Sequence, residues 1–448
     1  MDSPATAGSQ LSLQQKHVWK LQGDQQFVSQ VAVLLQGDLD QQRLHNALIG
    51  IFQRHQILRA FFYRSPGMEF PVQMVEENAA FSCFRSSLPE VDPGSEEDHV
   101  RSALRTQAET DLLDGSALDV ALIDAAPDRH FVLFTLPALC ADFVTLKNLV
   151  VELQEHYAGL VSAGNRFQQY GDYSTWQDQS LQNTDAQTQT GRTFWREQSS
   201  PLNAPLILQS KKTPEAHAVY VPGTLQVFLP DNVLDKVSAS GEDLGNWFLS
   251  AWQVLLWQLR GRTDFAIGFV SDGRGHAKLA NALGLYTRTL PLRVRLAPNG
   301  SFAEHMTATA KSRALAIEHQ DYYDRTEDAL PIGFITEEEI SPQVAHGLRI
   351  SVYAIRCETE RFQLALKCRR SAHTWSAELV YDPAYFDRDA VERLSQQFST
   401  ILAAASSNPI ATVASVADLH QSQGKLAKAF DPAVHLSGGS IIDNEADE

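Results

Sequence analysis

The spacing of apolar residues alternates between a helical and a strand period, so both kinds of element are expected. Residues 11–22 read as a short helix, with Leu13, His17 and Leu21 on one face and Trp19 off it. Val28–Leu35 alternates and is rich in Val and Leu, the pattern of a strand. Asp40 stands as an N-cap before a helix with apolar positions Leu44, Leu48, Ile51 and Phe52. A strand at Ala60–Tyr63 and a turn at Pro66-Gly67 follow. Glu96–Leu113 reads as a charged amphipathic helix. Ala117–Ile123 and His130–Leu136 predict adjacent strands, separated by Ala126-Pro127-Asp128. Asp142 begins a further helix, whose apolar face is Leu146, Leu149, Val150, Leu153, Tyr157 and Leu160.

Residues 178–191 are rich in Gln, Thr and Ser and almost uncharged, which predicts a surface connection between two lobes. Asp243 to Leu259 is a second amphipathic helix, presenting Trp247, Phe248, Ala251, Trp252, Leu255, Leu256 and Leu259. Strands are expected at Phe265–Val270 and Leu290–Leu296, and a helix at Ser301–His319. Late strands are expected at Gly347–Arg356, Phe362–Cys368 and Thr374–Tyr381, then a closing helix at Asp387–Ala405. The tail after Ser437 is acidic with Gly and Ser, and is expected to be disordered. No internal repeat is visible, and strict βαβ alternation is absent.

Composition narrows the classes. With 44% hydrophobic and 20% charged residues the chain can bury a core, which excludes a disordered protein. Its 448 residues are too many for one simple core. A net charge of −17 weighs against nucleic acid, as no Lys/Arg run exceeds Lys211-Lys212 or Arg369-Arg370. Cys83, Cys140, Cys357 and Cys368 form no CxxC pair, so free thiols in a reducing cytoplasm are expected, with no zinc site. Met1–Gln10 lacks the regions of a signal peptide. Leu244–Leu259 is uncharged but holds Asn246, Ser250, Gln253 and Gln258, which fits a buried helix and not a membrane span. The chain lacks a strand-linked GxGxxG, a Walker loop, a GxSxG elbow and an HExxH, so no cofactor or metal is expected to bind directly.

Six segments in order carry a family resemblance. Ser12-Leu-Gln-Gln15 with Trp19 and Leu21, Arg54-His55-Gln-Ile-Leu58-Arg59 with Phe62, and Tyr170-Gly-Asp172-Tyr173 with Trp176 are the first three. Phe194-Trp195 extends the third. Next come Ile267-Gly268 and Gly273-Arg274, then Gly284 to Arg293 around Leu290-Pro291-Leu292. His319-Gln320-Asp321 is the last. From about Leu11 to about Pro409 the chain resembles the condensation domain of nonribosomal peptide synthetases.

The resemblance implies an α/β fold of two chloramphenicol-acetyltransferase-like lobes, a V-shaped pseudo-dimer with a central tunnel. It divides the chain into an N-terminal lobe (1–165), an inter-lobe connection (166–192), a C-terminal lobe (193–418) and a linker with a disordered acidic tail (419–448). Leu419–Phe430 is similar to the linker before an adenylation domain, so such a domain is an expected neighbour. Peptidyl carrier proteins would deliver substrates as thioesters on phosphopantetheine arms, from opposite ends of the tunnel.

The family's active loop is His-His-x-x-x-Asp-Gly, after a strand of the first lobe. Here the register between the strand at His130–Leu136 and the helix from Asp142 sets Pro137 and Ala138 against the two His, keeps Asp142, and puts Phe143 at the Gly. Pro and Ala cannot transfer a proton through their side chains. None of the 14 His has an Asp four residues on, so the motif is not displaced elsewhere. The heterocyclisation variant, Asp-x-x-x-x-Asp-x-x-Ser, meets Pro137, Asp142 and Thr145, so one acid of two is present.

Asp142 reads as an N-cap and ion-pair partner in preference to a catalytic acid, with Arg274 or Arg293 as the partner. Cys140 has no adjacent His or Lys to lower its pKa and reads as a small buried residue. Arg288 replaces the family's usual Asn, where it could narrow the tunnel, form an ion pair, or simply end a surface strand. Arg59 and Thr145 complete the structural or tunnel-lining candidates. His17, His55 and His319 read as satisfied structural histidines, and Tyr170, Trp176 and Trp195 as packing of the connection. Three functions follow: a degenerate scaffold that binds carriers and can recruit a tailoring enzyme, an amide-forming domain working without the His, and a heterocyclisation domain.

Overall fold

The computed structural model describes residues 8–88, 95–113, 115, 117–161, 168–198, 220–239, 243–324, 330–372 and 374–418. The expected linker and acidic tail at 419–448 lie outside them. The N-terminal half runs β1 (Ser9–Gln10), α1 (Leu13–Gln22), β2 (Val28–Gly37), α2 (Gln41–Arg54), β3 (Ala60–Tyr63), β4 (Val72–Val75) and β5 (Phe84–Ser87). It continues with α3 (Ser95–Ala108), β6 (Asp119–Ala126), β7 (Arg129–Pro137) and α4 (Phe143–Ala158). Two helices follow, α5 (Tyr170–Gln182) and α6 (Ala186–Gln198). The C-terminal half begins with β8 (Gly223–Val227), α7 (Asp231–Ala239), α8 (Leu244–Arg260), β9 (Asp264–Ser271), β10 (Arg288–Arg295) and α9 (Phe302–Glu318). It ends with β11 (Ile332–Glu338), β12 (Gln343–Ala345), β13 (Leu348–Cys357), β14 (Leu364–Arg370), β15 (Trp375–Tyr381), α10 (Arg388–Ser407) and α11 (Val413–Asp418).

Helix starts follow from side-chain caps. Asp40, Asp142, Asp243 and Asp387 each accept a backbone N–H from the first turn of the helix that follows. Ser12 with Gln15, and Ser301 with Glu304, form reciprocal capping boxes.

Two six-stranded sheets make the two lobes, with the order β12-β13-β2-β7-β6-β5 in the first and β10-β9-β11-β14-β15-β8 in the second. The first sheet is buried on both faces. Val31, Val33 and Leu35 of β2 face the α2–α4 core, while Ala32 joins Val100 of α3 and Phe131 and Leu133 of β7 in a smaller cluster. In the second sheet Phe265, Ile267, Phe269, Leu364, Leu366 and Leu379 face a core shared with α8 and α10. The alternate residues, among them Val270, Ile335, Glu337, Lys367 and Val380, face a cavity between the lobes. The two-lobed α/β fold expected from the resemblance is thus the one observed.

Several expectations are corrected. The buried residues of α1 are Gln14, Gln15, Val18 and Gln22, with Leu13, His17 and Leu21 only partly covered. The glutamines are buried because they hydrogen-bond across to other elements. Residues 178–191, expected as a surface connection, are mostly helical: 178–182 close α5 and 186–191 open α6. Leu160 lies beyond the end of α4, after the left-handed Gly159, and is exposed. Residues 343–357, placed by sequence order in the C-terminal lobe, belong to the N-terminal sheet: β13 pairs antiparallel with β2 from Leu348↔Gly37 to Cys357↔Ser29. The strand β11, which the pattern did not announce, lies parallel between β9 and β14.

Candidate functional site: the crevice between the lobes

The loop from β7 to α4 is built into the fold by its backbone. Pro137 still pairs with Val28 across the sheet. Ala138 donates its N–H to the Phe27 carbonyl at 2.8 Å, and Cys140 donates to the Pro137 carbonyl at 2.8 Å, closing a turn. Gln15 Nε2 donates to the Leu139 carbonyl at 3.0 Å and Ser29 Oγ to the Ala141 carbonyl at 2.6 Å. Ala138, Leu139, Cys140 and Ala141 are all fully buried. Pro137 and Ala138 carry no titratable group, and burial pushes the Cys140 thiol far above its ordinary range.

Asp142 is at the centre of a buried polar knot. Oδ1 accepts the Thr145 N–H at 2.8 Å, capping α4. Arg274 grips the carboxylate in a fork, Nη1 to Oδ2 at 2.8 Å and Nη2 to Oδ1 at 2.9 Å. Oδ2 also accepts the N–H groups of Tyr286 and Thr287, each at 2.9 Å. Burial alone would raise the pKa of Asp142, but the Arg274 charge and these donors more than offset it, leaving the carboxyl below its ordinary range. The group is an ionised, fully engaged anchor.

Thr145 completes the knot. Its hydroxyl donates to the Gly284 carbonyl at 2.6 Å and accepts from Gly284 N at 3.0 Å and Arg274 Nη2 at 3.0 Å. Arg274 also sits 4.6 Å from the centre of the Tyr286 ring. Two glycines let the segment 273–287 lie this close. Gly273 has φ 68° and a Cβ there would collide with the Tyr286 carbonyl. Gly284 has φ 146° and faces the Tyr170 ring so closely that no Cβ would fit.

A second polar frame joins α1 and α5 to the same segment. Ser12 Oγ meets the Tyr170 hydroxyl at 2.7 Å, which donates to the Leu285 carbonyl at 2.6 Å. Gln14 Nε2 donates to the Tyr173 hydroxyl at 2.8 Å. Arg288 is buried, donating to the Tyr173 hydroxyl at 2.8 Å and the Gln320 carbonyl at 2.6 Å, and pairing with Asp321 at 2.9 Å. It is a paired interior residue, not a surface strand end.

Beside this knot the lobes enclose a cavity of about 120 Å³. Phe143 and Val144, from the first turn of α4, line it opposite Glu337, Glu358 and Lys367. Phe143 therefore brings a ring to the wall where the family motif has a glycine. A narrower pocket of about 30 Å³ shares Thr287, Thr359 and Glu360 with it and adds His17 and Arg288. His17 Nε2 pairs with Glu360 at 3.1 Å.

Of the candidates, Asp142, Thr145 and Arg274 form the buried knot, Pro137, Ala138 and Cys140 stand in the buried loop before it, and Arg288 lines the narrower pocket. Arg274 is the partner of Asp142. Arg293 is not: it pairs with Asp264, at 2.9 and 2.6 Å. Arg59 is also elsewhere in role, its guanidinium bracing the carbonyls of Glu76, Glu77 and Gln53. His55 pairs with the buried Glu152 at 2.8 Å, as a structural histidine should. Sequence reasoning missed Phe143 and Val144 as wall residues, the backbone of Tyr286 and Thr287 as donors, and the role of Gln14 and Gln15. The motif's own Gln15 was a signal for the last; backbone donors leave none.

The comparisons place the chain in a class. The condensation domain family model matches residues 9–325, and the chain belongs to that family. It is similar to tyrocidine synthase 3 of Brevibacillus parabrevis, at 27% identity over 86% of this chain and 6% of that protein. Against gramicidin S synthase 2 of Brevibacillus brevis it is 25% identical over 84% of the chain and 9% of that protein. The chain therefore spans less than a tenth of these synthetases. Its fold is that of the condensation domain from the monacolin K polyketide synthase MokA, with a TM-score of 0.76 at 19% identity over 91% of this chain and 99% of that one. The X-domain from teicoplanin biosynthesis gives a TM-score of 0.75 at 20% identity, over 92% and 98% of the two chains.

Proposed function

We propose that this condensation domain engages aminoacyl or peptidyl thioesters, held on the phosphopantetheine arms of carrier proteins, without catalysing their joining by the family's histidine route. One observation carries this reading. The positions that would hold the two histidines are Pro137 and the fully buried Ala138, while the retained Asp142 spends its carboxylate on Arg274 and three backbone donors. A side chain engaged in this way holds lobes together and has no free lone pair to offer a substrate. In this reading the domain is a scaffold in a synthetase, beside an adenylation domain, in the cytoplasm. The four described cysteines, all free thiols, suit a reducing compartment.

A scaffold of this kind presents a carrier-bound amino acid to a tailoring enzyme. The X-domain of teicoplanin biosynthesis, of like fold, is described in complex with OxyB. A second reading, amide formation without the histidine, draws on the cavity that remains between the lobes. Orientation of two tethered reactants supplies much of a barrier reduction, and general-base help is worth about 10²–10⁴-fold. Heterocyclisation is not favoured, because Pro137 cannot stand for the first acid and the Thr145 hydroxyl is fully engaged.

The deciding experiment incubates the chain with a donor carrier and an acceptor carrier, both loaded, and follows product by mass spectrometry of the carriers. The scaffold reading expects carrier binding with no dipeptidyl carrier above the level without protein. Protein-dependent product would establish the second reading.

A further inference from the structure

A cavity of about 250 Å³ lies in the C-terminal lobe, where α9 and α6 pack against the edge strand β10. It is separate in its residues from the crevice described above. Its floor and walls bring Arg293 and Arg295 of β10 together with His305, Thr309, Lys311 and Ser312 of α9. No Asp or Glu lines it, although the chain has 54 acidic residues against 37 basic ones. The placement follows from both periodicities. Residues two apart on a strand share a face, and residues three, four and seven apart on a helix share another.

The cations differ in how they are occupied. Arg293 is held by Asp264 and by the Glu197 carbonyl. Arg295 and Lys311 form no salt bridge among the described residues, and the charge of Asp264 reaches Arg295 without a contact. Deeper in, His305 is 7% exposed and its Nε2 has no hydrogen-bond partner. Burial pushes its pKa down to about 4, so the ring is neutral at pH 7 and keeps one N–H to donate. An unpaired buried polar atom is costly, and a ligand oxygen that reached it would offset that cost.

We propose that this cavity is a binding site for a phosphate monoester, with Arg295 and Lys311 meeting its charge and His305 donating to one of its oxygens. Two unpaired cations match the charge of about −1.5 to −2 that such a group carries at pH 7. A guanidinium fork suits phosphate geometry, and the Ser312 hydroxyl offers a further donor from the same helix face. The site requires nothing of the crevice, so it stands whether or not the domain forms amides.

The test titrates the full chain with inorganic phosphate, glycerol 3-phosphate and free phosphopantetheine at constant ionic strength, against sodium chloride, by calorimetry and by NMR of the histidine rings. The expected result is saturable binding of the phosphates with a shift of the His305 ring that chloride does not cause. Arg295→Gln with Lys311→Gln should weaken it at least about tenfold. Both positions are exposed, so the double variant is expected to fold, and its melting temperature serves as the control. Lys236→Gln, an exposed cation on α7, should bind as the unaltered chain does. Binding that is no tighter than chloride, or that the double variant leaves unchanged, overturns the site. Binding of the phosphodiester of a loaded carrier through these residues, with none of the free monoesters, would overturn the monoester assignment.

Discussion

Asp142 and Arg274 set the energetics at the scale of single residues. Both are almost wholly buried, so removing one leaves the other charged and without its partner. Asp142→Ala should cost about 3–5 kcal/mol, more than the roughly 1 kcal/mol of a lost N-cap alone. Urea unfolding reads this directly, and an unchanged midpoint would contradict the anchor role. The pH dependence has a definite sign. The folded pKa of Asp142 is lowered, so its contribution is complete above the ordinary carboxylate range and is lost as pH falls through the lowered value. His305 adds a limb of its own. Its folded pKa of about 4 lies below an ordinary histidine, so its contribution is present above about pH 6.5 and is lost as pH falls towards 4. The loss should reach about 3 kcal/mol, and His305→Phe should remove this limb from a plot of stability against pH.

At the scale of elements, the polar face of α1 matters more than its apolar residues. Gln15 caps its own helix through the Ser12 N–H, donates to Gln73 at 2.7 Å, and holds the Leu139 carbonyl of the motif loop. Gln15→Leu keeps the size but strands these groups in the interior. A loss of about 1–3 kcal/mol is expected, together with faster hydrogen exchange in residues 138–141. Exchange confined to α1, with the loop unaffected, would show that Gln15 does not position the loop. Periodicity misread this helix because it counts apolar residues, and here amide side chains are buried by pairing. The caps, by contrast, were legible at Asp40 and Asp142, since an N-cap is a local arrangement of one side chain and the next three residues.

At the scale of the whole molecule, the two lobes are stitched in two ways. The strand β13 leaves the second half of the chain to pair with β2, and Asp142 and Thr145 of the first lobe bind Arg274 and the 284–287 backbone of the second. Calorimetry should therefore give one unfolding transition for both lobes. Two resolved transitions in the unaltered chain would mean that these links are weak. A double-mutant cycle of Asp142→Asn and Arg274→Gln should show a coupling above about 1 kcal/mol, since the residues touch and are buried.

By itself the sequence determined the two-lobed α/β class, most helices and their caps, the order of the family motifs, and the absence of a protic side chain at 137 and 138. The two-lobed class came through the resemblance those motifs carry, and the others rest on local spacing or on residue identity, which a linear string carries in full. It narrowed the partner of Asp142 to Arg274 or Arg293 but could not choose, because both follow second-lobe motif segments and their separation from Asp142 is a distance in space. Only the tertiary structure decided that Arg274 reaches across while Arg293 turns to Asp264. Only it placed residues 343–357 in the first sheet, buried the glutamines of α1, and gathered cations of β10 and α9 around one cavity. The reason is common to all four: a side chain's role depends on neighbours that are remote along the chain, and burial and pairing are properties of that assembled neighbourhood.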